Sequence, residues 1–301
     1  MFFFFFIKKK VSIKGVGLHS GQPAQVTFSP APENTGIFFV RKDLKGQPAL
    51  SVKADLVQAT TLATTLGGKD FSVSTVEHCL SALAAYRIDN LFIELEGAEI
   101  PICDGSAREF LRALEEAEVI EQGATRKYMY IDEPIYFGTE EKHACLLPHQ
   151  GLRVTCTIEF PHPQIGLQKM DIEVDEYSFS KEIASARTFG FLKDVEKLKA
   201  QGLAKGGSLE NAVVLDHERV LNEEGLRFPD EFVRHKVLDA LGDIVTLGYP
   251  IMGHLVLYKT GHDLMNKFVK KVLSSPQSYR IVELASAARP LESWDPLRWT
   301  P

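Results

Sequence analysis

The chain has 301 residues, 45% hydrophobic and 25% charged, a composition that excludes disorder, collagen and coiled coil and gives room for one large or two medium domains. Thirty-four Lys and Arg against 40 Asp and Glu leave a formal charge of −6, a poor electrostatic match to a nucleic-acid backbone, which argues against nucleic acid as a partner. Four cysteines (Cys79, Cys103, Cys145 and Cys156) without any C-x-x-C pair fit neither a disulfide framework nor a zinc knuckle and point to a reducing, cytoplasmic setting.

The opening run, residues 1–7, is apolar but too short to span a bilayer. Lys8, Lys9 and Lys10 follow it, the reverse order of a secretory signal. Apolar side chains followed by lysines have the chemistry of a weak contact with an anionic membrane surface, and also that of a terminal segment packed on a neighbour. Alternation over residues 24–28 and 36–40 predicts strands. Residues 74–86 carry Val76, Leu80, Leu83 and Ala84 at helical spacing behind a Ser/Thr cap signal, which predicts an amphipathic helix. A strand over 90–95 and a helix over 107–117 follow, and the polar stretch 121–127 reads as a domain boundary.

Beyond that boundary the grammar repeats. Strands are expected over 128–137, 144–147 and 152–160, then helices, a strand over 253–259 and a final helix. The element order predicts an α+β protein: two similar two-layer sheet-plus-helix domains packed together, each with a small insertion. Residues 1–124 form the N-terminal domain with Glu77 and His78; residues 125–301 form the C-terminal domain with His235, Asp239 and His262. Residues 193–207, a helix running into a glycine-rich loop, read as the insertion of the second half.

Three short constellations carry chemistry. His235 and Asp239 stand four apart on one helical face, where Cβ atoms lie about 5 to 6 Å apart, close enough to share a metal ion. Alone, such a pair is an ordinary charged helix face. His78 in Thr75-Val76-Glu77-His78 would complete a His2Asp set and leave a fourth position for water. Glu77 points about 100° away from His78 on a helix and could reach that water instead; the plainer reading is an acidic residue favoured at a helix start beside a partly exposed histidine. His262, in a glycine-flanked loop after a strand, can act as an acid if a carboxylate such as Asp243 holds it protonated.

Longer stretches match a known family: GVGLHSG (15–21), STVEH (74–78), EIPICDGSA (99–107), ARTFGF (186–191), GLAKGGS (202–208), EGLRFPDEFVRHKVLDALGD (224–243) and GHDLMNK (261–267). On these, the chain resembles the UDP-3-O-acyl-N-acetylglucosamine deacetylases, zinc enzymes of lipid A biosynthesis, along nearly all its length. The resemblance implies that His78, His235 and Asp239 bind Zn2+, that Glu77 is the general base, and that His262 is the cationic partner oriented by Asp243. It places Thr188 by the tetrahedral intermediate, Lys236 and Lys142 at the sugar-diphosphate part of the substrate, and Phe160 near the uracil. Phe189, Phe191 and residues 192–207 match the region that forms the acyl-chain passage. The reaction implied is hydrolysis of the N-acetyl group of UDP-3-O-acyl-N-acetylglucosamine to acetate and the free 2-amino sugar nucleotide, the committing step of lipid A biosynthesis. The chain is expected to act in the cytoplasm, as a monomer.

Other readings stay open from the sequence. A non-catalytic module for UDP-sugars or acyl chains would use zinc structurally, although such sites are normally closed by four protein ligands and three are evident here. A sugar kinase of similar build would need a nucleotide loop; the glycine runs 15–21 and 202–208 contain neither G-x-x-x-x-G-K-[ST] nor G-x-G-x-x-G and read as tight turns. Core packing is the ordinary alternative for Phe160, Phe189 and Phe191. Phe2 to Phe6 and the tail beyond about Leu284 have no counterpart in the family.

Overall fold

A computed structural model describes residues 3–283. Its helices are α1 (Glu77–Ala85), α2 (Arg108–Ala117), the single turn α3 (Glu176–Ser178), α4 (Leu192–Ala200), α5 (Glu231–Ile244) and α6 (His262–Leu273). In the first half, five strands run in the spatial order Val11–Val16, Pro23–Pro30, Leu91–Glu96, Ile37–Arg41, Ala49–Ser51. All neighbours are antiparallel except Leu91–Glu96 with Ile37–Arg41. The expected period of two is visible in Pro23–Pro30, where Ala24, Val26 and Phe28 are buried on one face.

The second half holds a seven-stranded sheet. Its long strand Ile251–Tyr258 pairs antiparallel with His143–Leu147 and parallel with Leu152–Phe160 and, at its first residues, with Lys127–Ile131. Ile135–Gly138, Gly166–Glu173 and Tyr279–Glu283 complete it. Each half also has the small insertion expected. The first is a three-stranded sheet of Val57–Ala59, Thr65–Gly67 and Ser72–Val73; the second pairs Phe189–Phe191 parallel to Val213–Leu215 and carries α4, which buries no residue. The helices α1 and α5 pack on each other, α2 lies against Val11–Val16 and α6 against α5, so one apolar core runs through both halves.

Three local expectations change. The polar stretch 121–127 is mostly strand and not loop: Val119–Thr125 pairs antiparallel with Phe3–Ile7, a partner more than a hundred residues away that no local pattern reveals. In that ribbon Phe5 packs against the core and Ile7 is fully buried, while Lys8 and Lys9 pair with Glu118 and Lys10 with Glu94. Residues 128–137 are two strands, broken where the Asp132 and Glu133 amides turn to the Ser278 carbonyl just ahead of Pro134, which has no amide to donate. The described chain closes with the strand Tyr279–Glu283 rather than with α6. Phe2 and the tail from Leu284 lie outside the described residues. All four cysteines are free, and no described helix is long and apolar enough to cross a membrane.

Candidate active site

The site forms where the start of α1 meets the middle of α5. The Ser/Thr signal ahead of α1 does not cap it. Thr75 takes a left-handed φ of 57° and its hydroxyl donates to Glu99 Oε1 at 3.0 Å, while Glu99 also accepts the amides of His19 and Ser20 at 2.8 Å each. A β-branched residue there is strained and is held by surrounding bonds. Leu62 and Lys259, also at positive φ, line the same cavity as Thr75, so strained backbone concentrates at this place.

His78 is almost fully buried rather than partly exposed, and faces His235 and Asp239 across the helix pair. The ligand atoms of the three residues lie within 4.8 Å of one another. His235 Nδ1–H donates to the Ala186 carbonyl at 3.1 Å, which fixes the tautomer and leaves the Nε2 lone pair facing the cluster. That Nε2 lies 3.2 Å from Asp239 Oδ1, and His78 Nε2 lies 3.6 Å from the same oxygen. With its proton on Nδ1, His235 is no donor to Asp239, and Asp239 Oδ1 has no hydrogen-bond partner among the described residues despite its burial. Burial pushes the His235 imidazole toward its neutral form, as ligation requires. Burial opposes the Asp239 charge, but its polar neighbours, with the Lys236 ammonium 2.7 Å from Oδ2 among them, outweigh it and hold the carboxyl well below its usual range. A buried, donor-free carboxylate oxygen facing two imidazole nitrogens fits a divalent metal ion.

Beside this cluster stands a second one. Glu77 Oε2 accepts the Thr64 amide at 3.0 Å, and Oε1 lies 3.8 Å from His262 Nε2. Burial, reinforced by Asp239 and Asp243 and opposed by His262, pushes the Glu77 carboxyl up to about 7. His262 is the first residue of α6 and not a loop residue; its Nδ1–H donates to Asp243 Oδ2 at 2.8 Å. Burial would lower its pKa, but Asp243 and Glu77 outweigh that effect and raise it to about 10, so the ring is a cation at neutral pH.

The cavity in front of both clusters has a volume of about 460 Å³. Thr188, Phe189, Lys142 and Lys236 line it together with Glu77, His262 and the His2Asp set. Thr188 is clamped by its amide on the Gly105 carbonyl at 2.7 Å and by its carbonyl under the Val213 amide at 2.8 Å. Lys142 stands exposed in the turn between two strands. Lys236 turns inward, with Nζ on Asp239 Oδ2 at 2.7 Å and 5.5 Å from the Phe189 ring centre. Phe160 and Phe191 are not part of the cavity lining; Phe160 meets Phe189 edge-on at 5.6 Å and Phe191 at 6.1 Å, forming a half-buried aromatic group behind it. A second cavity of about 460 Å³, bordered by Ile37, Ile88, Arg126 and Ile244, contains none of the candidate residues.

The two glycine runs are turns that dock on each other. The Lys205 and Gly206 amides donate to the His19 and Leu18 carbonyls at 3.2 and 3.0 Å, and a Cβ on Gly206 would collide with the Gly17 carbonyl. Three features of the site escape the sequence reading. Thr64 bonds both carboxylates of the second cluster. Gly242 lets α5 touch α1. Arg187, fully buried, donates from its amide and Nε to Glu231 Oε1 at 2.9 Å each and from Nη1 to Glu224 at 2.5 Å. It thereby anchors the segment that supplies the Ala186 carbonyl to His235 and Thr188 to the cavity. Arg187 and Glu231 sit inside the long matched stretches, but no spacing rule links residues 44 apart.

A two-half α+β scaffold that holds a buried His2Asp cluster next to a carboxylate and a histidine has the side-chain set of a metal-assisted hydrolase. The model of the LpxC family, UDP-3-O-acyl N-acetylglycosamine deacetylase, matches residues 6–274, and the chain belongs to this family of metalloenzymes. The UDP-3-O-acyl-N-acetylglucosamine deacetylase of Bdellovibrio bacteriovorus is 61% identical over 280 residues, 93% of each chain. The deacetylases of the same name from Myxococcus xanthus and Oleidesulfovibrio alaskensis are 50% and 49% identical; the alignments cover 92% and 94% of this chain and 88% and 93% of theirs.

Proposed function

We propose that this chain hydrolyses the N-acetyl group of UDP-3-O-acyl-N-acetylglucosamine in lipid A biosynthesis, releasing acetate and the free 2-amino sugar nucleotide. The observation that carries the reading is the convergence of His78, His235 and Asp239 within 4.8 Å, with Glu77 and His262 alongside. His78 Nε2, His235 Nε2 and Asp239 Oδ1 would hold Zn2+, which two imidazoles and a carboxylate suit. When bound, zinc supplies Lewis acidity toward the amide carbonyl and lowers the pKa of water.

Glu77 is the general base: Oε2 is held by the Thr64 amide, and Oε1, on the side facing His262, takes the proton of the attacking water. His262, kept charged by Asp243, donates to the developing oxyanion and then protonates the departing amine. Thr188 adds a hydrogen bond to the tetrahedral intermediate. Lys142 and Lys236 face the sugar-diphosphate part, Phe160 lies near the uracil, and Phe189, Phe191 and residues 192–207 border the acyl passage. The shared cavity of Lys142, Lys236, Thr188 and Phe189 supports this arrangement. A closed structural zinc site would need a fourth protein ligand.

The proposal extends to organisation and setting: domains of residues 1–124 and 125–301, and a monomer acting in the cytoplasm, where free thiols persist. Any membrane contact of the N-terminal segment is a weak surface one, because Phe5 packs inward and Lys8, Lys9 and Lys10 are paired with glutamates. Metal analysis combined with an acetate-release assay on the acylated UDP-sugar tests the function. About one zinc per chain, acetate release, and inhibition by a hydroxamate are expected; a metal-free protein that turns over at full rate would overturn it.

A further inference from the structure

Thr64 is buried in the first insertion, between strands Val57–Ala59 and Thr65–Gly67, and does not line the cavity. Its amide donates to Glu77 Oε2 at 3.0 Å. Its hydroxyl donates to Asp243 Oδ1 at 2.6 Å and stands 3.3 Å from His262 Nδ1. Each contact occupies one oxygen of a carboxylate and leaves the other oriented: Glu77 Oε1 toward His262, and Asp243 Oδ2 onto the His262 ring. One residue, outside every stretch that carries the family resemblance, therefore fixes two carboxylates that come from different halves of the chain.

We infer that Thr64 is a positioning residue of the reaction, its hydroxyl locking the Asp243 carboxylate so that His262 is held at a fixed distance from Glu77. The inference rests on the roles proposed for Glu77 and His262. The short hydroxyl–carboxylate bond provides the lock. A carboxylate with one oxygen bonded to an imidazole still rotates about its Cβ–Cγ bond, and a donor on the second oxygen removes that freedom. A misplacement of the acid by an ångström costs up to about 10²-fold in rate, so a residue that never touches substrate acts on kcat through geometry. The backbone contact to Glu77 survives any substitution that keeps the fold, which lets the hydroxyl be tested alone.

The test compares Thr64→Val, isosteric but without the donor, with Thr64→Ser, which keeps it, in the parent enzyme and in a His262→Gln background. Metal content per chain, kcat and KM are measured on the folded holoenzyme. The expected result is a fall in kcat of about 10-fold or more for Thr64→Val, with KM within about two-fold and metal retained, and recovery to within about three-fold of the parent for Thr64→Ser. In the His262→Gln background Thr64→Val should change kcat by less than about two-fold, because the group it positions is gone. A parent-like kcat for Thr64→Val, or an equal fall in both backgrounds, overturns the inference; the latter marks a structural residue. Should the valine variant not fold, Thr64→Ala, which also lacks the donor, is read in the same way. If Glu77→Ala and His262→Gln themselves turn over like the parent, the proposed reading of the site has failed and the inference falls with it. If they are impaired and Thr64→Val is not, only the inference has failed.

Discussion

Gly242 of α5 and Glu77 of α1 touch backbone to backbone: a Cβ on Gly242 would collide with the Glu77 carbonyl. This contact sets how closely the two helices approach. It brings His78, on α1, within reach of His235 and Asp239, one to two turns earlier on α5.

Gly242→Ala therefore forces the helices apart at the point that carries the site. Glycine in a helix is otherwise worse than alanine by about 1 kcal/mol, so the substitution should stabilise an isolated helix, whereas overpacking here should destabilise the protein by about 1 to 3 kcal/mol. Thermal unfolding should show a lower midpoint, and metal content should fall with it; an unchanged or higher midpoint would mean that the helices can separate without loss.

The three donors of the first cluster should behave as ligands. His78→Ala, His235→Ala and Asp239→Ala are each expected to lose metal and acetate release together, measured as metal per chain after dialysis. Full metal retention in all three would exclude the site.

Glu77→Ala should instead keep its metal and lose about 10² to 10⁴-fold in turnover, the usual contribution of a general base. Turnover near that of the parent would remove Glu77 from the mechanism.

The pH profile follows from the same two groups. The working state needs Glu77 as carboxylate and His262 as imidazolium, so activity should rise with pH through the Glu77 value and fall as His262 deprotonates near 10. Both values hold without a cation: a bound metal ion favours the Glu77 carboxylate and disfavours the His262 imidazolium, so both limbs move lower. His262→Gln should abolish the basic limb; a limb left in place would assign it elsewhere. For stability the sign runs the same way: the folded value of about 10 lies above the ordinary 6.5, so the stabilisation from charged His262 is complete below 6.5 and is lost as pH rises through 10.

Arg187→Ala should be costly out of proportion to its distance from the chemistry. It leaves the Glu231 carboxylate, fully buried, without its main partner, and breaking such a pair typically costs about 3 to 5 kcal/mol. Denaturant unfolding should show the loss, with a parallel weakening of metal binding through the Ala186 carbonyl that orients His235.

The class of fold and the candidate groups of the site were legible in the amino-acid sequence alone. Alternation in Pro23–Pro30 is a local signal, and burial on one face is its direct physical consequence. Helical spacing around Leu80 and Leu83 marks α1, but the amphipathic helix expected there is buried all round except at Ala84, because α5 and α2 pack on its other sides. His235 and Asp239 could be paired from spacing alone because a helix places residues four apart together, and the long motifs supplied His78, Glu77 and His262. What no spacing encodes came with the packing of distant segments. The ribbon of Phe3–Ile7 with Val119–Thr125, the Arg187–Glu231 pair, the collision-free contact at Gly242 and the Thr64 bridge from Glu77 to Asp243 all join residues far apart in the chain. Even the Ser/Thr signal before α1 was redirected, because Glu99, a residue of another loop, offered Thr75 a stronger acceptor than the helix could offer it a role. Local patterns record what a residue does to its own few neighbours; the charge states and orientations of Glu77 and His262 depend on burial and on partners that arrive only when the two halves close.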